Sequence, residues 1–107
     1  MATKLAYTMK LKPNAADEYK RRHQEIWPEV LNLLREHGYS DYSIFLDEET
    51  LTLFAVYQTS SLATASNDAL RQTEIMQRWW AYMTDLVEFN EDQTPATHPL
   101  KMVFHMD

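Results

Sequence analysis

The sequence predicts an α+β domain of order β-α-β-β-α-β, one four-stranded antiparallel sheet with helices on one face. Three observations carry this. Apolar residues alternate from Leu5 to Leu11, from Tyr42 to Tyr57, and from Leu100 to Met106, the period of half-buried strands. Helical spacing takes over in the two intervals between them. A short polar link, Asp47 to Thr50, joins the two middle strands as a hairpin.

The first strand places Leu5, Tyr7, Met9 and Leu11 on one side, with Thr8 and Lys10 on the other. Pro13-Asn14 ends it, and Asn14 with Asp17 reads as a helix N-cap followed by an acidic first turn. The helix is expected to run to about His37, where Gly38 supplies a left-handed stop. Pro28 has no N–H to bond the preceding turn, so the helix should kink or restart there, beside His23. Tyr42, Ile44 and Leu46 form the second strand, and Leu51, Leu53, Ala55 and Tyr57 the third, which is mostly apolar on both faces. A second helical region begins near Ser61 and is clearest from Thr73 to Val87. Asn90 to Pro99 reads as a loop, and Leu100 to Met106 as the closing strand. This is the ferredoxin-like arrangement. Its uncovered sheet face needs a partner, and the apolar third strand predicts a homodimer packed sheet to sheet.

A chain of 107 residues is one domain, spanning 1–107. Sixteen acidic against ten basic residues give a net charge of −6, which repels phosphate backbones and speaks against nucleic acid as a partner. The one basic cluster, Lys20, Arg21 and Arg22, fans around a helix beside Glu18 and Glu25 and reads as a solvated face with Glu18–Arg22 pairing. There is no cysteine, hence no disulfide framework, thiolate nucleophile or cysteine-held metal. No apolar run approaches the roughly 20 residues of a membrane helix, and MATKLAYTMKLK alternates unlike a signal peptide. A cytoplasmic protein is expected. A single glycine removes the glycine-rich phosphate cradles.

Chemistry concentrates on the helices. Tyr19, His23 and Trp27 lie four residues apart, and so on one helical stripe, in EYKRRHQEIWPE. Trp79 and Trp80 are adjacent on the second helix, about 100° apart, so one of them should be partly exposed or line a cavity. Tyr42 opens the second strand. Such groups are either core residues with polar tips or the wall of a site. Aromatic planes with a few polar groups suit a sugar, whose C–H face stacks on a ring while phenol and imidazole take its hydroxyls. A histidine is a natural acid–base there. His37, His98 and His105 show no metal-ligand spacing, and Asp47, Glu48 and Glu49 form a solvated turn instead of a glycosidase carboxylate pair.

The segments EYKRRHQEIWPE, YSDYSIFLDEETLTLFAVYQ, MQRWWAYMTD and LKMVFHMD resemble, in sequence and order, the L-rhamnose mutarotase family. The resemblance implies the dimeric α+β barrel form of the ferredoxin-like fold. It implies a sugar 1-epimerase, needing no cofactor and no metal, that interconverts the anomers of L-rhamnose. It implies that His23 is the catalytic proton donor and that Tyr19, Tyr42, Trp79 and Trp80 contact the sugar, with Trp27 left to packing. Two other functions suit the same elements: a small monooxygenase or haem-degrading enzyme, or a non-catalytic small-molecule binding module.

Overall fold

The first alternating stretch becomes strand β1 (Thr3–Lys10) in the computed structural model, which describes residues 3–60 and 68–107. Helices α1 (Ala16–Gln24) and α2 (Pro28–Glu36) follow, then strands β2 (Tyr39–Asp47) and β3 (Thr52–Thr59). Helices α3 (Asp68–Arg71) and α4 (Glu74–Met83) lead to strand β4 (His98–Pro99). The sheet order is β2-β3-β1-β4, with neighbours antiparallel throughout. That is the ferredoxin-like order the sequence predicts. The predicted start of the second helical region near Ser61 lies outside the described residues.

Register decides which side chains meet the helices. Leu5 faces Tyr57, Tyr7 faces Ala55, and Met9 faces Leu53 across β1 and β3. Ile44 and Leu46 join that face from β2, opposite Ala55 and Leu53. Above it, Val30, Leu70, Met76, Trp79, Met83 and Leu86 complete the buried core. The other face carries a cross-strand pair, Phe45 and Phe54, exposed at 64% and 38%.

Pro28 divides the predicted long helix in two. It sits in the first turn of α2, where a missing N–H forfeits no helical bond, and extended Trp27 precedes it (φ −61°, ψ 132°). Gly38 ends α2 with φ +86°, and a Cβ there would collide with the Ser60 hydroxyl, whose own N–H donates to the Gly38 carbonyl at 2.9 Å. The left-handed backbone is what favours glycine here.

Two expectations are corrected. Asn14 does not cap α1: it makes a left-handed turn at φ 64°, and Ala15 takes the cap position without a side-chain bond. Asparagine tolerates that conformation, so its presence before a helix has two readings. The closing strand is also misplaced. Pairing with β1 involves only His98 and Pro99, within the predicted loop, and Leu100 makes one further bond, its N–H to the Ala6 carbonyl at 2.9 Å. Leu100 to Met106 alternates but pairs with no strand among the described residues. Val103, Phe104 and Met106 are accordingly exposed, Val103 at 88%. Among the described residues, no helix is long and apolar enough to cross a membrane.

Candidate active site

Helix α1 presents Tyr19 and His23 one turn apart, their ring centres 4.3 Å apart and tilted by 32°. His23 Nδ1 lies 3.0 Å from the Tyr19 carbonyl. A carbonyl only accepts, so Nδ1 carries a hydrogen, and in the neutral ring Nε2 is the proton-accepting nitrogen. Burial lowers the His23 pKa below the ordinary 6.5, outweighing the Tyr19 carbonyl, which favours the charged ring. The imidazole is therefore neutral at neutral pH.

Helix α4 brings the tryptophans. Thr73 caps it, Oγ1 accepting the Met76 N–H at 3.4 Å. Trp79 is 6% exposed and Trp80 half-buried. The Trp79 ring meets His23 edge-on at 5.6 Å. Trp27, expected on one helical stripe with Tyr19 and His23, lies beyond the end of α1 in extended backbone, and it packs edge-on to Trp79 at 5.1 Å and stacked on Tyr82 at 5.6 Å.

Arg22, next to His23, ties the two helices together. Its guanidinium donates to the Glu18 carboxylate at 2.7 Å, the Tyr82 carbonyl at 2.6 Å and the Asp85 carboxylate at 2.9 Å, and lies 4.3 Å over the Tyr82 ring. Glu18 also accepts two bonds from Arg21, and the Arg21 and Arg22 guanidiniums together hold its carboxyl down to about 2. The predicted Glu18–Arg22 pair forms. Arg22 departs from the expected solvated face, with its side chain only 10% exposed, because the end of α4 offers it three acceptor oxygens and a ring.

The sheet supplies the floor. Between Ser40 and Ser43 β2 bulges against β3, with Asp41 left-handed at φ 49°. Tyr42 continues the alternation of Ile44 and Leu46 on the helix-covered face, and the bulge brings Tyr39 onto the same face, so that Tyr42 stacks on Tyr57 at 5.0 Å and on Tyr39 at 6.0 Å. The Tyr42 hydroxyl hydrogen-bonds the Tyr7 hydroxyl from β1. Burial raises the pKa of Tyr42 well above 10, raises those of Tyr7 and Tyr19, and pushes that of Tyr57 up to about 12. These phenols are all protonated under ordinary conditions.

Together they line an open cavity of about 780 Å³ between sheet and helices, in the size range of small-molecule sites. Tyr19, His23, Tyr42, Trp79 and Trp80 all line it, so the five residues singled out in the sequence converge. Ile44, Leu53, Met76 and Met83 make much of the remaining wall, and the charged groups, Asp17, Lys20 and Glu48, are exposed at its edge. Tyr7 also lines the cavity and was missed. Its only signal is register: it stands opposite Ala55, too small to cover it. His37 bonds the Leu33 carbonyl and His105 pairs with Asp107, both away from this cavity. Among the described residues no group of three or more His, Asp or Glu is placed to hold a metal.

Apolar ring faces, neutral phenols and one neutral imidazole are the equipment of a monosaccharide site with acid–base capability. Comparison with known proteins agrees. The family profile described as L-rhamnose mutarotase matches residues 4–106. An L-rhamnose mutarotase of Jannaschia sp. (strain CCS1) is 50% identical over 103 residues, covering 96% of this chain and 97% of the relative. One from Flavobacterium johnsoniae is 49% identical over 106 residues, 99% and 97% of the two chains. The crystal structure of an L-rhamnose mutarotase from Formosa agariphila superposes with a TM-score of 0.89 at 42% identity, covering 98% of this chain and 99% of that one. An antibiotic biosynthesis monooxygenase reaches only 0.55 at 18% identity over 96% of this chain and 99% of its own, a likeness of fold alone. The monooxygenase alternative thus has only the architecture in its favour, whereas sequence over nearly the whole chain favours the mutarotases. By sequence over nearly its whole length and by fold, the chain belongs to the L-rhamnose mutarotase family.

Proposed function

We propose that the cavity binds L-rhamnose, that His23 moves the proton that interconverts its anomers, and that Tyr19, Tyr42, Trp79 and Trp80 hold the sugar. Family membership makes the chain a mutarotase, an isomerase. The observation that carries the residue assignment is a neutral imidazole, fixed by the Tyr19 carbonyl at Nδ1, in an aromatic cavity.

The chemistry then needs one proton carrier. The anomeric hydroxyl and the ring oxygen are both bonded to C1, within reach of a single nitrogen. His23 Nε2 takes the proton of the anomeric hydroxyl as the C1 carbonyl forms and the bond from C1 to the ring oxygen breaks. It returns that proton to the ring oxygen. The open aldehyde turns about C1–C2 and recloses by the reverse steps with the other configuration. No proton is gained or lost overall, and no cofactor or metal enters. Tyr19 and Tyr42 offer hydroxyls to the sugar, while Trp79 and Trp80 cover its apolar face and the C6 methyl. Preference for that methyl over a hydroxymethyl is worth about 1–3 kcal/mol, so related sugars should turn over more slowly instead of being refused.

Polarimetry of freshly dissolved L-rhamnose tests this. The enzymatic part of kcat/KM is expected to be level above pH 6.5 and to decline below it, as the proton-accepting nitrogen of His23 fills. The same depression makes the unfolded chain bind that proton more readily than the folded one. Stability conferred by a neutral His23 is therefore complete above 6.5 and diminishes as pH falls toward the folded-state pKa. A rate that instead declines as pH rises from 6.5 to 8 would rule out the neutral His23 imidazole as the proton acceptor.

The working form we propose is a homodimer of single-domain chains, 1–107, in the cytoplasm, binding neither membrane nor nucleic acid. Phe45, Phe54 and the exposed Val103, Phe104 and Met106 support the dimer, since an apolar surface of this kind calls for cover. Light scattering should return about twice the 12.7 kDa chain mass, and a monomeric mass at assay concentration would refute it.

A further inference from the structure

Tyr7 lies on the cavity floor outside the set of residues given above to the sugar. We propose that Tyr7 is a positioning residue: through its hydroxyl it fixes the orientation in which the Tyr42 hydroxyl meets the sugar. This rests on the reading that Tyr42 contacts the substrate, and it adds what that contact requires.

Tyr42 needs external support. It follows a bulge with a left-handed residue, and its side chain is anchored by rings, Tyr57 at 5.0 Å and 16° and Tyr39 at 6.0 Å and 17°. Stacking fixes a ring plane. It does not fix where the phenolic proton points, because rotation about the C–O bond leaves the ring contacts unchanged. The hydrogen bond to the Tyr7 hydroxyl does that, either by accepting the Tyr42 proton or by occupying one side of the Tyr42 oxygen so that its O–H turns the other way.

Tyr7 is well placed for the task. It stands in β1, paired on both sides, opposite Ala55 of β3 and Pro99 of β4, and its ring meets Tyr57 edge-on at 5.8 Å. Ala55 is fully buried and small, which leaves the space that the Tyr7 ring fills. The two phenols have two O–H groups. One is used in the bridge whichever way it points, so one O–H and the remaining lone pairs are left for a ligand in the cavity. Burial keeps both hydroxyls protonated, so the bridge and its free O–H persist across the working pH range.

If Tyr7 only fills space, phenylalanine serves as well, since it keeps the ring against Tyr57. If the hydroxyl orients Tyr42, phenylalanine does not. The test is a cycle of Tyr7→Phe, Tyr42→Phe and the double variant, each read for KM and kcat with L-rhamnose. Affinity for a methyl L-rhamnoside, which cannot open, supplies a readout independent of turnover. Tyr7→Phe is expected to raise KM and weaken glycoside binding roughly three- to tenfold, the scale of one hydrogen bond, with kcat little changed. The double variant should be no worse than Tyr42→Phe alone, because Tyr7 acts through Tyr42. Wild-type KM in Tyr7→Phe beside an impaired Tyr42→Phe would overturn the proposal. So would effects that multiply in the double variant, which place Tyr7 on the sugar directly. Wild-type behaviour of Tyr42→Phe would instead overturn the substrate role of Tyr42 and the positioning role with it.

Discussion

His23→Ala is expected to fold and to lose roughly 10²–10⁴-fold in catalysed anomer exchange, the usual contribution of one positioned acid–base group. The size follows from what surrounds the ring. Tyr7, Tyr19 and Tyr42 have raised pKa values and are poor proton acceptors at neutral pH. The carboxylates at the cavity, Asp17 and Glu48, are exposed at its edge. No neighbour is placed to inherit the role. The fold should survive, since His23 is half-buried and the clamp beside it, Arg22 on Glu18 and Asp85, is untouched. Added imidazole, entering the space left by the ring, should restore part of the rate. Circular dichroism establishes folding and polarimetry the rate. A folded His23→Ala protein as fast as wild type would remove His23 from the mechanism.

Trp79→Ala is expected to have the largest effect on stability. Trp79 is 6% exposed and makes ring contacts to Trp27, His23 and Tyr82, at 5.1, 5.6 and 5.8 Å. Truncating a buried tryptophan costs about 3–5 kcal/mol, through lost burial and the cavity left behind. In a chain of this size that lowers Tm by on the order of 15 °C or more. Trp80, one residue on and half-buried, should cost much less stability when truncated and still weaken sugar binding. Thermal unfolding followed by circular dichroism separates the two. A Trp79→Ala melting point within about 3 °C of wild type would show that the ring is not the keystone of the helix layer.

Much of this molecule is legible in its sequence because the pattern and the physics coincide. The period-two stretches at β1 and β3 are strands since each has a neighbour to bond and one face to bury. Pro28 restarts the helix since its ring forbids the alternative, and Gly38 stops it since its backbone turns left-handed at φ +86°. The failures share a different cause. Leu100 to Met106 alternates as cleanly as β1, but alternation records which side chains avoid water, not which backbone is available to pair. Asn14 has the composition of a cap and the backbone of a left-handed turn, a choice made by the chain around it. For the site, Tyr19 and His23 were readable because one helix carries both. Trp79 and Trp80 were readable because a helix cannot turn both the same way. The meeting of Tyr42 with Tyr7 depends on both strands pairing with β3, and no local pattern announces that. Periodicity placed Tyr42 in the second strand, and the family resemblance added its contact with the sugar.

The proton-shuttle mechanism and the family assignment meet in one measurement: NMR saturation transfer between the α- and β-anomeric protons of L-rhamnose at equilibrium. Saturating one resonance should attenuate the other in the presence of wild-type protein, in proportion to enzyme concentration. The same amount of His23→Ala should leave the transfer close to the level of buffer. Exchange that folded wild-type protein does not accelerate would contradict the mutarotase assignment itself.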